Sequence, residues 1–319
     1  RYEAADRAED VIRVVGVALG FAAGEEKLAL HRELGRRVAA RGESGEAMTH
    51  WAAVLVQDPA AEDAQEQLAH LADQAGAHET YAQALVAAAD AAEPGPRQYA
   101  LLVEAGDVRS GRLGDQEGAI ALYQRVLAAD ARPNTKLTVA RRVEKLLDDA
   151  ERYADRLVVL EELAELETDP VESRRVLGQC ARLADRLGEG ERALGFWQRR
   201  LEADASDLEA LDAMIELTER EERWDLHVDA LRRRVGADVP ALQRRLDLAR
   251  IANTQAARLE QIGEAIQTWH QIQEEFGEDA ETVDALFDLL VRAERFDEIY
   301  ALLGRASERD AAREAEVLA

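Results

Sequence analysis

One twelve-residue phrase occurs twice in this chain of 319 residues. AIALYQRVLAAD begins at Ala119, and ALGFWQRRLEAD begins at Ala193, 74 residues later. In each copy an alanine is followed four residues later by a large aromatic residue. The pair recurs in four places, 72, 74 and 72 residues apart: Ala47/Trp51, Ala119/Tyr123, Ala193/Trp197 and Ala265/Trp269. Such a regular period predicts a repeat architecture, in which each copy packs against the next.

A second anchor supports the same period. Arginine followed by an aromatic residue occurs at Arg152-Tyr153, Arg223-Trp224 and Arg295-Phe296, 71 and 72 residues apart, and also at Arg1-Tyr2. The first period carries GAHETY in place of this anchor. The four anchor aromatics Trp51, Tyr123, Trp197 and Trp269 hold a fixed place in the repeat, so we predict that they lie in the core.

Apolar residues within a period follow the spacing of an α-helix. Leu211, Met214 and Ile215 show the i, i+3, i+4 rhythm of one buried stripe. Turn residues divide each period into four helices, and no window alternates in the manner of a strand. In the third period we predict Asp169 as an N-cap with Glu172 as its capping-box partner. We also predict Ser206 as an N-cap and Gly236 as a helix end.

Four helices in each period make two helix hairpins of about 36 residues, which resembles the tetratricopeptide repeat, a 34-residue antiparallel helix pair. The first and third periods carry the resemblance best. Their matching positions are His31, Leu34, Gly35, Val38, Ala47, Trp51, Val54, Leu55 and Pro59 in the first, and Leu177, Cys180, Ala181, Ala184, Ala193 and Trp197 in the third. Ala131, Ala205 and Gly277 depart from the family, which has proline there. The resemblance implies an all-α, right-handed α-solenoid with about seventeen helices.

The same periods predict how the chain is organised. We expect one continuous solenoid over residues 1–319, with four-helix units at 25–95, 96–168, 169–236 and 237–306. Residues 1–24 match the last helix of a preceding unit, and AAREAEVLA within 307–319 resembles the start of a further unit. The sequence is therefore expected to be part of a longer chain or complex.

Charge excludes several classes of partner. The chain has 40 basic and 65 acidic residues, a net charge of −25, so it lacks the basic footprint that nucleic acids and anionic membranes require. No apolar run approaches the roughly 20 residues that span a bilayer. A single cysteine permits no intrachain disulfide, which fits a reducing, cytoplasmic location. The preference for arginine over lysine is typical of a GC-rich, bacterial genome.

No pattern indicates catalysis, a metal or an organic cofactor. Cys180 lies on an apolar stripe and is predicted to be a small buried residue. The six histidines show no metal-ligand spacing on one helix. The glycine-bearing segments 112–118 and 186–191 follow no strand and are predicted to be turns between helices. Arginine pairs such as Arg36-Arg37 and Arg199-Arg200 are predicted to be solvated helix flanks that pair with nearby glutamates.

These observations favour a non-enzymatic scaffold that binds a peptide or a partner domain. Two alternatives stay open. One is an α/α-toroid enzyme of the carbohydrate-lyase or glycosidase type, which also repeats helix hairpins but concentrates aromatics and carboxylates in long loops. The other is a structural spacer within a large assembly. The short loops of this chain, and aromatics placed inside helices, favour the scaffold.

The resemblance also implies a binding surface, because the first helix of each family hairpin lines a concave groove. Carrying the groove positions over selects six residues, all acidic: Glu209, Asp212, Glu216, Glu281, Asp284 and Asp288. Their i, i+3, i+7 spacing places each trio on one helix face. The first period supplies Asp63, Glu66 and His70, whereas the second breaks the pattern with Thr138, Arg141 and Lys145. We predict that this acidic surface attracts a basic peptide or partner, the alternative being a merely solvated face.

Overall fold

The computed structural model describes the backbone of residues 2–304 and the side chains of residues 9–304. The predicted start of a further unit at 307–319 lies outside these residues. Within them the chain forms helices and no strand, as predicted. Sixteen helices have defined bounds, and a seventeenth, α17, covers 296–304. The predicted helix count is therefore confirmed.

The chain divides after Thr168 into two compact units. Unit 1 contains nine helices: α1 (Tyr2–Leu19), α2 (Gly24–Ala40), α3 (Ser44–Gln57), α4 (Glu62–Ala75), α5 (His78–Ala91), α6 (Pro96–Val108), α7 (Gln116–Ala128), α8 (Pro133–Asp149) and α9 (Tyr153–Leu166). A π-helical turn over Arg109–Leu113 extends α6. The pairs α2/α3, α4/α5, α6/α7 and α8/α9 pack as hairpins, each closed by a short turn.

Unit 2 contains the other eight helices: α10 (Pro170–Arg186), α11 (Gly190–Ala203), α12 (Leu208–Arg220), α13 (Trp224–Val235), α14 (Ala241–Ala257), α15 (Ile262–Phe276), α16 (Ala280–Arg292) and α17. Here α10/α11, α12/α13 and α14/α15 pack as hairpins. We call the even-numbered helix that opens each hairpin its first helix, and the helix that follows its second helix. A single continuous solenoid over residues 1–319 stays a prediction.

A left-handed residue marks the turn of every hairpin, and its φ lies between 54° and 84°. These residues recur every 34 to 38 positions: Gly42, Gly76, Gly114, Glu151, Gly188, Glu222, Glu260 and Glu294. Four of them are glutamates, although the left-handed conformation costs a residue with a side chain about 1–2 kcal/mol. The backbone therefore repeats with the hairpin, while the residue type at the turn does not.

The helix ends agree with the sequence at one predicted N-cap and differ at another. Asp169 caps α10 as predicted, and its carboxylate accepts hydrogen bonds from the backbone N–H groups of Val171 and Glu172. Ser206 does not cap α12, because its hydroxyl donates to Asp204 at 2.7 Å. Asp207 is the N-cap instead and accepts from the N–H of Ala210 at 3.2 Å. A carboxylate there also suits the positive end of the helix dipole.

Gly236 follows α13 as predicted, but it is not a left-handed cap. Its φ of −78° is right-handed and open to any residue. The predicted helix end is therefore confirmed, and its backbone conformation does not require glycine.

The alanine–aromatic pairs lie in the core, as predicted. All four alanines are fully buried, and Trp51, Tyr123, Trp197 and Trp269 are between 1% and 3% exposed. A glycine on the first helix makes room for the aromatic in two hairpins. A Cβ on Gly35 would lie 2.7 Å from Nε1 of Trp51, and a Cβ on Gly106 would lie 2.5 Å from Cε1 of Tyr123. Each aromatic thus fills the space that a side chain on the facing helix would need.

We expect Gly35→Ala to destabilise unit 1 by about 1–3 kcal/mol, because the added methyl group overpacks the interface against Trp51. Gly195→Ala is the matched control: it also lies within a helix, but nothing lies within 4 Å of its added Cβ. That change should stabilise α11 by about 0.5–1 kcal/mol through helix propensity. Urea denaturation of both variants measures the difference, and a shift of the same sign in both would contradict this account.

Candidate interaction surface

The six carboxylates of the predicted acidic surface lie exposed on two first helices of unit 2, α12 and α16. Three of them already face arginine. Glu209 pairs with Arg182 at 2.5 Å and with Arg200 at 2.8 Å. Asp212 pairs with Arg234 at 2.5 Å, and Glu281 pairs with Arg245 at 2.8 Å. The hydrogen bond from Arg200 lowers the pKa of Glu209, so this carboxylate is held as an anion.

The other three carboxylates have little compensation. Glu216 and Asp284 have no ion pair within residues 9–304. Asp288 lies 3.9 Å from Arg292, one turn away on its own helix, and such exposed pairs contribute little. The acidic surface is therefore half neutralised by arginines that sequence reasoning did not connect to it.

Two of those arginines are buried with an aspartate. Arg200, 3% exposed, donates to Asp207, and Arg234 donates through Nε and Nη2 to Asp247 at 2.9 and 2.5 Å. Asp247 itself is fully buried. The hydrogen bond to Asp247, followed by that to Asp212, raises the pKa of Arg234. These paired charges fix the second helices α11 and α13 against the first helix of the next hairpin.

The prediction that the arginine pairs are solvated helix flanks that pair with nearby glutamates is only partly right, and it is wrong for Arg200, which is buried. Arg37 does pair with Glu33 on α2 at 2.5 Å. Many other arginines reach a carboxylate 31 to 36 residues away, on the corresponding helix of a neighbouring hairpin: Arg32–Asp63, Arg142–Asp107, Arg220–Asp185, Arg245–Glu281 and Arg250–Glu219. That distance in sequence is one hairpin, so these ion pairs bridge stacked hairpins within each unit.

Within each unit, grooves lie between successive first helices. In unit 2, a groove of about 280 Å³ between α10 and α12 contains Arg182, Asp185, Glu209, Glu216 and Arg220 around the edge of Trp197. The guanidinium of Arg182 lies 5.8 Å from the centre of that indole ring, and that of Arg200 lies 5.1 Å from it. This groove carries both signs of charge on an aromatic floor.

Unit 1 has two further grooves, one on each side of α6. The groove between α4 and α6, about 300 Å³, is lined by Glu62, Gln65, Glu66, Ala69, Tyr81, Arg97 and Glu104. Burial and a hydrogen bond to Glu104 raise the pKa of Tyr81 above its ordinary value. The groove between α6 and α8, about 420 Å³, is lined largely by Tyr99, Ala100, Val103, Thr135, Thr138 and Val139. Asp63 lies apart from these grooves in its pair with Arg32, and Arg141 pairs with Glu167 at 2.6 Å.

Two histidines meet between α2 and α3, although they lie 19 residues apart in sequence. His31 Nδ1 lies 3.1 Å from His50 Nδ1, so one ring donates and the other accepts. Burial lowers the pKa of both rings; His50 and then Lys27 lower that of His31 further, whereas Glu46 opposes the shift at His50.

Within residues 9–304 no group of three or more His, Cys, Asp or Glu could hold a metal ion. Cys180 is buried, as predicted.

The histidines predict how the stability of the protein depends on pH. Because the folded-state pKa of His31, His50 and His227 lies below the ordinary value of about 6.5, the unfolded chain binds more protons there. Their stabilisation is complete above that value and is lost as the pH falls through the folded-state pKa. Each contributes a slope of at most about 1.4 kcal/mol per pH unit.

Urea denaturation between pH 7.5 and 5.5, a range that brackets the ordinary histidine pKa of about 6.5, measures this loss. We expect His50→Gln to reduce the slope of stability against pH, because it removes one of the two neighbouring histidines whose pKa is lowered. His70→Gln, at an exposed position on α4, is the control and should leave the slope unchanged. An equal slope in all three proteins would show that the pair does not cause the dependence.

The observations that decide the fold are antiparallel hairpins of 34 to 38 residues, an alanine–aromatic pair in alternate hairpins, and a left-handed turn in each hairpin. The fold is a tetratricopeptide-like helical repeat. No family model matches the chain, and no curated protein matches it.

Solved structures with some likeness to the chain include three tetratricopeptide-repeat proteins. MamA is 18% identical, with 55% of this chain and 90% of that chain covered and a TM-score of 0.32. YrrB, described as a TPR protein with an unusual peptide-binding site, is 16% identical, with 64% and 98% covered and a TM-score of 0.33. The C-terminal part of a TPR repeat-containing protein from Cytophaga hutchinsonii is 12% identical, with 80% and 98% covered and a TM-score of 0.35. All three TM-scores are below 0.5, so the fold assignment rests on the hairpin geometry of the chain itself.

None of the helices in residues 2–304 combines the length and the apolar character needed to cross a bilayer.

Proposed function

We propose that this chain is a non-enzymatic scaffold that binds a peptide or a partner domain on the exposed faces of its first helices. The observation that carries the proposal is the arrangement of those faces. The anchor aromatics are buried between the helices of alternate hairpins, while open grooves between successive first helices present charged and polar side chains. Concave, partly apolar grooves with a few fixed polar groups are where proteins bind extended partners.

The partner of unit 2 is proposed to be basic. Residues 169–304 contain 30 carboxylates and 18 arginines, so the unit repels acidic partners and attracts basic ones. Glu209, Asp212 and Glu281 form ion pairs with arginines of the same unit. The carboxylates proposed to contact the basic partner are therefore those of Glu216, Asp284 and Asp288. A cytoplasmic location and a place within a larger complex belong to the same proposal.

The experiment uses a fluorescein-labelled peptide rich in lysine and arginine, with a glutamine-substituted peptide as its uncharged counterpart. Binding to the full chain is measured by fluorescence anisotropy at low and high salt. We expect the basic peptide to bind more tightly and to lose affinity with salt, because exposed charges are screened beyond about 8 Å at physiological ionic strength. Glu216→Gln/Asp284→Asn/Asp288→Asn should weaken binding and reduce the salt slope.

A matched triple variant separates a site from the general charge of the protein. Glu202→Gln/Asp225→Asn/Asp229→Asn makes the same change of net charge, but on the exposed faces of the second helices α11 and α13. If that variant weakens binding as much as the first triple variant, attraction is diffuse and the proposed surface is wrong. Equal affinity for the charged and uncharged peptides would contradict the proposal that the partner of unit 2 is basic.

A further inference from the structure

The groove between α4 and α6 in unit 1 contains a carboxylate that makes no ion pair with a basic side chain in the part of the chain that the structure describes. Glu104, half-buried on α6, accepts hydrogen bonds from the hydroxyl of Tyr81 and from Nε2 of Gln65. Arg97 also lines this groove, but its Nε donates to the carbonyl of Pro59 at 2.5 Å and its Nη2 to Oε1 of Gln65 at 2.6 Å. Within residues 9–304, Glu104 is held in a fixed position and has no ion pair.

The rim of this groove adds to the imbalance. Glu62 and Glu66, both exposed on α4, also have no ion pair within residues 9–304. In unit 2 the chain supplies two arginines to Glu209 on the first helix α12. At the α4–α6 groove the lining arginine, Arg97, pairs with none of these carboxylates, although burying part of an uncompensated carboxylate is unfavourable. A positively charged side chain of a bound partner would compensate the charge of these carboxylates.

The groove on the other side of α6 has a different character. Tyr99, 7% exposed, and Val139, 1% exposed, form its floor with the side chain of Val103. The arginine at its edge, Arg142, is turned towards Asp107 at 2.9 Å and is already paired. This groove therefore offers apolar contact without free charge, and it suits an aliphatic side chain.

We propose that unit 1 binds an extended peptide segment across α6, with a lysine or arginine against Glu104 and an aliphatic residue in the α6–α8 groove. The charge of the α4–α6 groove selects the basic side chain, and the apolar floor of the α6–α8 groove selects the aliphatic one. The two grooves flank a single helix of about 10 Å diameter, a distance that about three residues of extended chain span. This site is separate from the acidic surface of unit 2, and it rests on the proposed function only in taking a peptide as its occupant.

The test uses a labelled Gly/Ser peptide that carries one arginine and, about three positions later, one leucine. Its counterparts replace the arginine by glutamine or the leucine by serine. Binding to the full chain is followed by fluorescence anisotropy. We expect each counterpart to bind more weakly than the parent peptide. Glu104→Gln should raise the Kd of the parent peptide about tenfold, since it removes a charge-assisted contact but keeps the size and shape of the side chain.

Two further variants keep the test independent of folding at Glu104. Glu62→Gln/Glu66→Gln changes only exposed side chains without ion pairs and should also weaken the parent peptide. Val103→Asn should weaken the parent peptide but leave the leucine-to-serine peptide unaffected. Glu202→Gln, at an exposed position on the second helix α11, is the control and should change nothing here.

The proposal is overturned if the parent peptide shows no saturable binding up to about 1 mM, or if Glu104→Gln and Glu62→Gln/Glu66→Gln both bind it like the parent protein. Loss of binding of this peptide only in the triple variant of unit 2 would also overturn it, while leaving the proposed function of unit 2 intact. Conversely, if the unit 1 variants weaken peptide binding and the triple variant of unit 2 does not, the result would support this site and contradict the acidic surface.

Discussion

Replacing Trp51 by alanine is expected to lower the free energy of unfolding of unit 1 by about 3–5 kcal/mol. Trp51 is 2% exposed, and its indole fills the space opposite Gly35, where the facing helix has no side chain. Gly35 cannot fill the cavity that alanine would leave, so the site collapses poorly. The loss should be centred on α2 and α3, the hairpin that Trp51 holds together.

The indole N–H of Trp51 sharpens this prediction, because it has no hydrogen-bond partner in the part of the chain that the structure describes. Trp51→Phe removes that unpaired donor and keeps most of the volume, so it should cost far less than Trp51→Ala. Trp224→Ala is the control at a partly exposed tryptophan on α13, and its cost should be the smallest. Urea denaturation followed by circular dichroism gives the three values, and hydrogen exchange locates the loss. Equal losses at Trp51 and Trp224 would contradict the packing that we describe.

Asp247→Ala is expected to destabilise unit 2 by about 3–5 kcal/mol, because it leaves the buried guanidinium of Arg234 with one exposed partner, Asp212. Asp247 is fully buried, and it also accepts a hydrogen bond from Gln243 at 2.9 Å. Removing both charges should be milder than removing one. We therefore expect Arg234→Met/Asp247→Leu to be more stable than Asp247→Ala.

The matched control for this pair joins first helices of the same unit. Glu219 on α12 pairs with Arg250 on α14 at 2.9 Å, but both side chains are at least 40% exposed. Glu219→Ala should cost at most about 1 kcal/mol. Urea denaturation of the three variants measures these differences. If Asp247→Ala costs no more than Glu219→Ala, the buried pair does not hold α13 against α14.

The sequence predicted those parts of the molecule that repeat as residue types. Ala47 and Trp51 recur with their equivalents because alternate hairpins bury the same contact, and the helical spacing made the all-α fold visible. The turn geometry repeats without repeating a residue, since glutamate replaces glycine at positions such as Glu222 and Glu260. A search for glycine could therefore find only half of the turns.

Charge pairing was the part that sequence could not predict. Glu209 and Asp212 read as free carboxylates on a helix face, yet Arg200 and Arg234 reach them from the preceding and the same hairpin. Ion pairs between stacked hairpins depend on which long side chains meet across a helix interface, and helical periodicity carries no such information. The uncompensated Glu104 was missed for the same reason, since it stands out only once the reach of Arg97 is known.

The most direct test of the scaffold account is to locate a bound basic peptide. A photo-crosslinking amino acid placed at Glu216 reports on the first-helix face of α12, and the same amino acid at Asp225 reports on the exposed face of the second helix α13. With the lysine- and arginine-rich peptide present, we predict strong crosslinking from position 216, reduced by high salt, and little from position 225. Crosslinking that is equal at both positions, or stronger at position 225, would contradict binding on the first helices.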